Sequence, residues 1–126
     1  MRNEEEAYEQ KELVRYLKIK GIMFSALRQE VPAGHYISGK WVPYYKTLKN
    51  NKEMGLEKGI PDLLIMPEVN GKQYLVFIEM KRAKGKVSKE QKKWIDTINR
   101  VDGGVMAMVC YNSGEVIDYL EALYKI

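Results

Sequence analysis

The sequence is short of the residues that build metal cages from nitrogen and sulfur: its 126 residues include one cysteine, Cys110, and one histidine, His35. A single thiol excludes an intramolecular disulfide and a cysteine-clustered zinc site. A single imidazole leaves little room for His-ligated zinc or a Ser/His/Asp triad within one chain. No apolar run approaches the roughly 18 residues of a membrane span, and the opening MRNEEEAYEQ has no apolar signal region. With Cys110 in an apolar run as a reduced thiol, these absences fit an intracellular protein with no membrane partner, in the cytoplasm or nucleoid, or in the host cytoplasm if the protein is viral.

What is present describes a globular chain. Hydrophobic residues make up 45% and charged residues 30%, enough for one core, so residues 1–126 read as a single domain. The net charge of +4 is unevenly spread. Glu4, Glu5, Glu6 and Glu9 make the amino terminus acidic, whereas Lys81, Arg82, Lys84, Lys86, Lys89, Lys92, Lys93 and Arg100 crowd one stretch. Such a stretch is either a solvated lysine-rich surface or a seat for a phosphate-bearing polymer, because neutralising phosphates releases counterions and gives sequence-independent affinity.

The chain is organised around Gly59 to Lys81, GIPDLLIMPEVNGKQYLVFIEMK, which reads as a β-hairpin. Asp62 opens the run Leu63 to Met66, Asn70-Gly71 is a turn signal that tolerates positive φ, and the return strand Tyr74 to Ile78 closes in Glu79, Met80 and Lys81. Strand alternation puts Glu79 and Lys81 on the face of Leu75 and Phe77, so two charges continue an apolar stripe. They either fray into solvent at the strand end, or pair with each other, or serve a site, since a buried ion needs a partner or a metal. Antiparallel pairing favours the site, because it brings Asp62 beside them.

The remaining elements surround this hairpin. Glu4 to Lys18 reads as a helix whose inward stripe runs Glu6, Gln10, Leu13, Leu17, with Glu9 on a solvent-facing flank; a one-residue error in phase would exchange Glu6 and Glu9. Ile22 to Leu27 is a short strand. Arg28 to Tyr45 looks irregular and mixes His35, Tyr36, Lys40, Trp41, Tyr44 and Tyr45, suited to nucleic acid, to a second subunit, or to pinning a loop. Lys46 to Met54 is a short helix stopped by Gly55. Ser88 caps a helix to Arg100 on which Gln91 both completes a capping box and begins the inward stripe Gln91, Trp94, Ile95, Ile98. Gly103 and Gly104 lead into a strand, Val105 to Cys110, parallel to the hairpin's second strand, and a last helix runs to about Tyr124. The sum is an α/β sandwich with a small mixed sheet between helices.

On these residues the chain resembles the PD-(D/E)xK nucleases and, more specifically, the VRR-NUC family. Pro61-Asp62 followed by Glu79-Met80-Lys81 matches the superfamily core. The wider match is Glu6 and Gln10, then Lys58-Gly59-Ile60-Pro61-Asp62-Leu63, then Phe77 to Arg82, then Val87-Ser88-Lys89-Glu90-Gln91. The resemblance implies a restriction-endonuclease-like sandwich of core order αβββαβ with a C-terminal helix, and a divalent-metal-dependent endonuclease. It points to a homodimer cutting branched DNA such as Holliday junctions, since the chain carries no appended domain. The alternatives are a 5′-flap nuclease or an RNA-directed nuclease on the same scaffold, or a non-catalytic protein that binds structured DNA.

The chemistry that the resemblance implies uses Mg2+ or Mn2+, which prefer oxygen ligands: Asp62, Glu79, the Met80 backbone carbonyl, and Glu6 directly or through water. Lys81 would orient or deprotonate the attacking water, and Gln91 would hydrogen-bond Lys81, the nucleophile or the phosphate. Arg82, Lys84, Lys86, Lys89, Lys92 and Lys93 would hold the nucleic acid backbone.

Overall fold

The protein is represented by a computed structural model that describes residues 4–27, 34–43, 49–50, 52–55 and 57–126. The chain packs as two units, Met1–Arg28 with Gly59–Ile126, and Gln29–Lys58. The larger unit opens with helix α1, Glu4–Lys20, which has Glu4, Glu5 and Glu6 in its first turn and Lys18 and Lys20 in its last. Both sets complement the helix dipole. Gly21 ends it at φ 70, with the Gly21 and Ile22 amides bonded back to Lys18 and Leu17. Strand β1 is Met23–Ala26.

The smaller unit contains a feature that the glycines and prolines of the sequence obscure. Strands β2, Gly34–Ile37, and β3, Lys40–Pro43, form an antiparallel hairpin around Ser38 and Gly39, both at positive φ, where an irregular loop was the expectation. The two glycines are the hairpin's first residue and its turn, so they punctuate a strand pair rather than prevent one. Of the helix expected over Lys46 to Met54, residues 49, 50, 52 and 53 are helical and Gly55 follows at φ 96. Arg28, Tyr44, Tyr45 and residues 46–48 lie outside the described residues.

Back in the larger unit, β4 is Leu63–Met66, β5 Glu68–Val69, β6 Lys72–Gln73 and β7 Leu75–Met80; α2 is Lys89–Ile98, β8 Val105–Cys110 and α3 Ser113–Tyr124. The four longer strands form one mixed sheet, ordered β1-β4-β7-β8, antiparallel except for the parallel pair β7/β8. The single hairpin expected over residues 59–81 is therefore two nested ones. Asn70 (φ 52) and Gly71 (φ 81) turn only the small β5–β6 pair, while β4 and β7 pair around it.

Alternation decides which face each strand residue meets. Leu63, Ile65, Val76, Ile78 and Met80 pack with Leu13 and Leu17 of α1 and with Val116 and Leu120 of α3. Most of these are wholly buried, at roughly 1.5–3 kcal/mol for each large side chain. Three long-range bonds fix α1 to α3: Tyr16 donates its hydroxyl to Glu121 at 2.5 Å, and the Ser113 amide and hydroxyl donate to Glu9 Oε1 at 2.7 and 3.1 Å. The margin of the sheet at β8 is covered by Asn99, whose side chain pairs with both the amide (2.8 Å) and the carbonyl (3.0 Å) of Ala107.

Candidate active site

Among the described residues Asp62 and Glu79 are the two most buried acids, 4% and 2% exposed. Pairing of Leu63 with Ile78 sets Asp62 across from Glu79 when the register is carried one residue further. Burial overturns the reading in which Glu79 frays into solvent. Two backbone bonds hold Asp62 in place: its carbonyl accepts from the Leu27 amide at 2.9 Å, and its Oδ2 accepts from the Met80 amide at 3.0 Å. The second uses the side chain to continue the β4–β7 ladder past its last backbone pair.

Lys81 follows directly. Its amide donates to the Cys110 carbonyl at 2.8 Å, and its side chain is half-buried. By alternation Lys81 and Glu79 occupy the face opposite Ile78 and Met80, the face that α1 leaves uncovered. Burying two carboxylates side by side is costly without cationic charge, and two oxygen ligands with an adjacent ammonium are a donor set that suits a hard divalent cation.

Gln91 is 7% exposed at the start of α2. The Ser88 amide donates to its Oε1 at 2.8 Å and its own amide donates to Ser88 Oγ at 3.1 Å, a complete capping box. Both sequence readings of Gln91 thus hold together: it caps and it faces inward, and the box engages only Oε1. What brings this helix end to Asp62 is Gly59. A side chain there would lie 2.6 Å from the carbonyl carbon of Glu90 and 2.8 Å from the amide of Gln91, and Gly59 sits at φ 90. Only glycine permits both the backbone angle and the contact.

The first helix contributes differently from expectation. Glu9 is not a solvent-facing flank; it is half-buried and bonded to Ser113. Glu6 is half-buried on a helix packed against the other face of the sheet, and among the described residues no three His, Cys, Asp or Glu side chains gather as a metal cage. Gln10 has its Oε1 buried with no hydrogen-bond partner among the described residues. The structure therefore brings Asp62, Glu79, Lys81 and Gln91 to one end of the sheet, and Glu6 stands on α1, whose Leu13 and Leu17 pack on the opposite face. Arg82, Lys84, Lys86, Lys89, Lys92 and Lys93 are all exposed between β7 and the middle of α2.

Other features lie apart. A groove of about 650 Å³ lined by Tyr16, Met23, Met66, Glu121 and Tyr124 opens at the Met66 end of β4, the end away from Asp62. The Cys110 thiol is pushed up to about 12 by burial, with a smaller contribution from Glu115, which makes it a poor nucleophile at neutral pH. The sequence reading missed the roles of Gly59 and Glu9. A glycine three residues before a buried acid was the only signal for the first, and a helix flank carries no mark of a partner more than 100 residues away for the second.

A four-stranded mixed sheet between helices, with an acid entering one central strand and an acid and a lysine closing the next, defines the restriction-endonuclease-like fold of the PD-(D/E)xK class. The chain belongs to the VRR-NUC domain family, whose model matches residues 7–113. A solved structure described as a VRR_NUC domain protein superposes with a TM-score of 0.61 at 20% identity, over 99% of this chain and 92% of that one, a likeness of fold. Comparison with curated proteins gives no match. Family membership assigns a nuclease-type function and DNA binding. Among the described residues no helix is long and apolar enough to cross a membrane.

Proposed function

We propose that this domain is a divalent-metal-dependent endonuclease that hydrolyses phosphodiester bonds in branched DNA, with Holliday junctions as the favoured substrate, working inside the cell. The observation that carries the reading is the placement of Asp62 across from Glu79, both buried, with Lys81 one step beyond on the face of Glu79. Asp62, Glu79 and the Met80 carbonyl would hold Mg2+ or Mn2+, with Glu6, near the start of α1, as a further ligand directly or through water. The ion supplies Lewis-acid polarisation of the scissile phosphate. Lys81 holds the attacking water and balances charge as it develops on the phosphate, and Gln91, fixed by its capping box, orients Lys81 or a phosphate oxygen.

The exposed lysines and Arg82 grip the backbone without reading bases, so selectivity comes from nucleic acid shape. Symmetric incision of two strands needs two sites and one chain carries one, which supports a homodimer. The test is a cleavage panel of four-way junction, 5′ flap, plain duplex and RNA, with and without manganese, beside a mass measurement in solution. Metal-dependent nicking of the junction is the expected result; binding without cleavage of any substrate would refute the enzymatic reading, and preferential cutting of flap or RNA would replace the substrate.

A further inference from the structure

The β2–β3 hairpin carries side chains that a purely structural hairpin would hide. Tyr36 and Trp41 are cross-strand partners, their rings edge to face with centroids 5.1 Å apart and planes at 66°. They are nevertheless 73% and 50% exposed. The opposite face of the same two strands holds His35, Ile37, Lys40 and Val42, all exposed as well. A cross-strand aromatic pair steadies a short hairpin, which explains why the two rings touch. It does not explain apolar and aromatic surface open to water on both faces, which marks a surface built to meet a partner.

Charge identifies the partner. From Gln29 to Lys58 the sequence holds five lysines, Lys40, Lys46, Lys49, Lys52 and Lys58, together with His35, against three acids, Glu30, Glu53 and Glu57, of which Glu53 pairs with Lys49 at 3.9 Å. Aromatic rings in a segment of net positive charge are the chemistry of stacking on nucleobases whose phosphates lie alongside. Bases paired inside a duplex present no face to such rings, whereas unpaired bases do.

We propose that Tyr36 and Trp41 form a stacking platform for unpaired nucleobases, so that this hairpin recognises the single-stranded or distorted parts of a branched substrate. The inference rests on the nuclease reading only for the nature of the substrate. It adds a base-contacting element to a protein whose other basic residues contact phosphate.

The experiment is binding in EDTA, where no cleavage occurs, to three labelled DNAs: plain duplex, a single strand, and a four-way junction with 2-aminopurine at the branch point. The wild-type protein should alter 2-aminopurine fluorescence. Replacing Tyr36→Val with Trp41→Val keeps strand-favouring residues but removes the rings; it should weaken binding to the single strand and the junction about tenfold or more while duplex affinity stays within about twofold. Tyr36→Phe with Trp41→Phe keeps two stacking faces and should restore most of the lost affinity. Equal binding of the single strand by the valine variant and wild type would overturn the proposal. So would an equal loss on duplex, or no rescue by phenylalanine. Because cleavage is never read, failure of the nuclease reading would appear in the metal-dependent panel and leave this result intact.

Discussion

Met80 donates its backbone amide to Asp62 Oδ2 at 3.0 Å, so an acid read as catalytic is also the last rung of the β4–β7 ladder. The two roles separate by substitution. Asp62→Asn keeps an acceptor oxygen for Met80 and removes the charge, whereas Asp62→Ala leaves a buried amide unpaired at a cost of about 1–3 kcal/mol. In urea titrations the asparagine variant should melt near wild type and the alanine variant earlier, while both lose nicking. Lys81→Ala should lose nicking by about a hundredfold or more with DNA binding retained. Cutting at the wild-type rate by either Asp62→Asn or Lys81→Ala in magnesium would remove that residue from the mechanism.

Gly59→Ala is expected to be more damaging than its size suggests. The added methyl would lie 2.6 Å from the Glu90 carbonyl carbon at a backbone angle unfavourable for alanine, and neither a rotamer change nor a flexible neighbour relieves a backbone contact. The loop before Asp62 should lift from the start of α2, lowering stability by about 1–3 kcal/mol and reducing cleavage together with it. A variant with unaltered melting temperature and activity would show that the loop and the helix end do not depend on each other.

Glu9→Ala should lower the melting temperature, because Glu9 accepts from both the amide and the hydroxyl of Ser113 at the start of α3, an interaction worth about 1 kcal/mol. Glu6→Gln should leave stability unchanged and shift the metal dependence of cleavage to higher magnesium. If the stability loss fell on Glu6 and the metal effect on Glu9, the assignment of the two acids would be reversed.

Much of this arrangement was legible before any coordinates. The four main strands, the parallel pair and the capped helix after β7 follow from local rules: alternation in Leu75–Met80, and Ser88 with Gln91 three residues on. Asp62, Glu79 and Lys81 could be picked out because charge interrupts an apolar stripe. What escaped was set by distant partners. Nothing near Glu9 announces Ser113, nothing near Gly59 announces Glu90, and the alternation of Gly34–Ile37 is masked by the glycine and proline around it. The side of the sheet from which Glu6 approaches depends on how α1 packs, which the helix periodicity alone does not fix.

The basic stretch after β7 predicts a steep ionic-strength response. Each lysine that neutralises a phosphate contributes about 0.9 to the slope of log affinity against log salt. Replacing Lys89 and Lys93 by alanine should lower the slope by about 2 on plain duplex, measured by anisotropy over a salt series. An unchanged slope would place the phosphate contacts elsewhere.

Raising pH should weaken the fold through Cys110. In the unfolded chain this thiol ionises near its ordinary value of 9.0, whereas burial holds it up to about 12 in the folded protein. Between those values the unfolded state binds fewer protons, so stability is intact below the window and falls as pH climbs through it. Tyr16, raised to about 12 chiefly by burial and then by its bond to Glu121, acts in the same direction. Cys110→Ser should flatten part of the decline in urea midpoint between about pH 9 and about pH 11, and the native thiol should resist aromatic disulfide reagents until the protein is unfolded.

The bonds from Glu9 to Ser113 and from Tyr16 to Glu121 join partners 104 and 105 positions apart. During synthesis the first helix therefore emerges long before the helix that receives it. Leu13 and Leu17 have no complete apolar surface to meet until α3 leaves the ribosome. Such non-local closure slows folding and leaves early segments exposed. The candidate site is thereby assembled late: a nascent chain displays its lysines before it has a folded sheet end to set Asp62 across from Glu79.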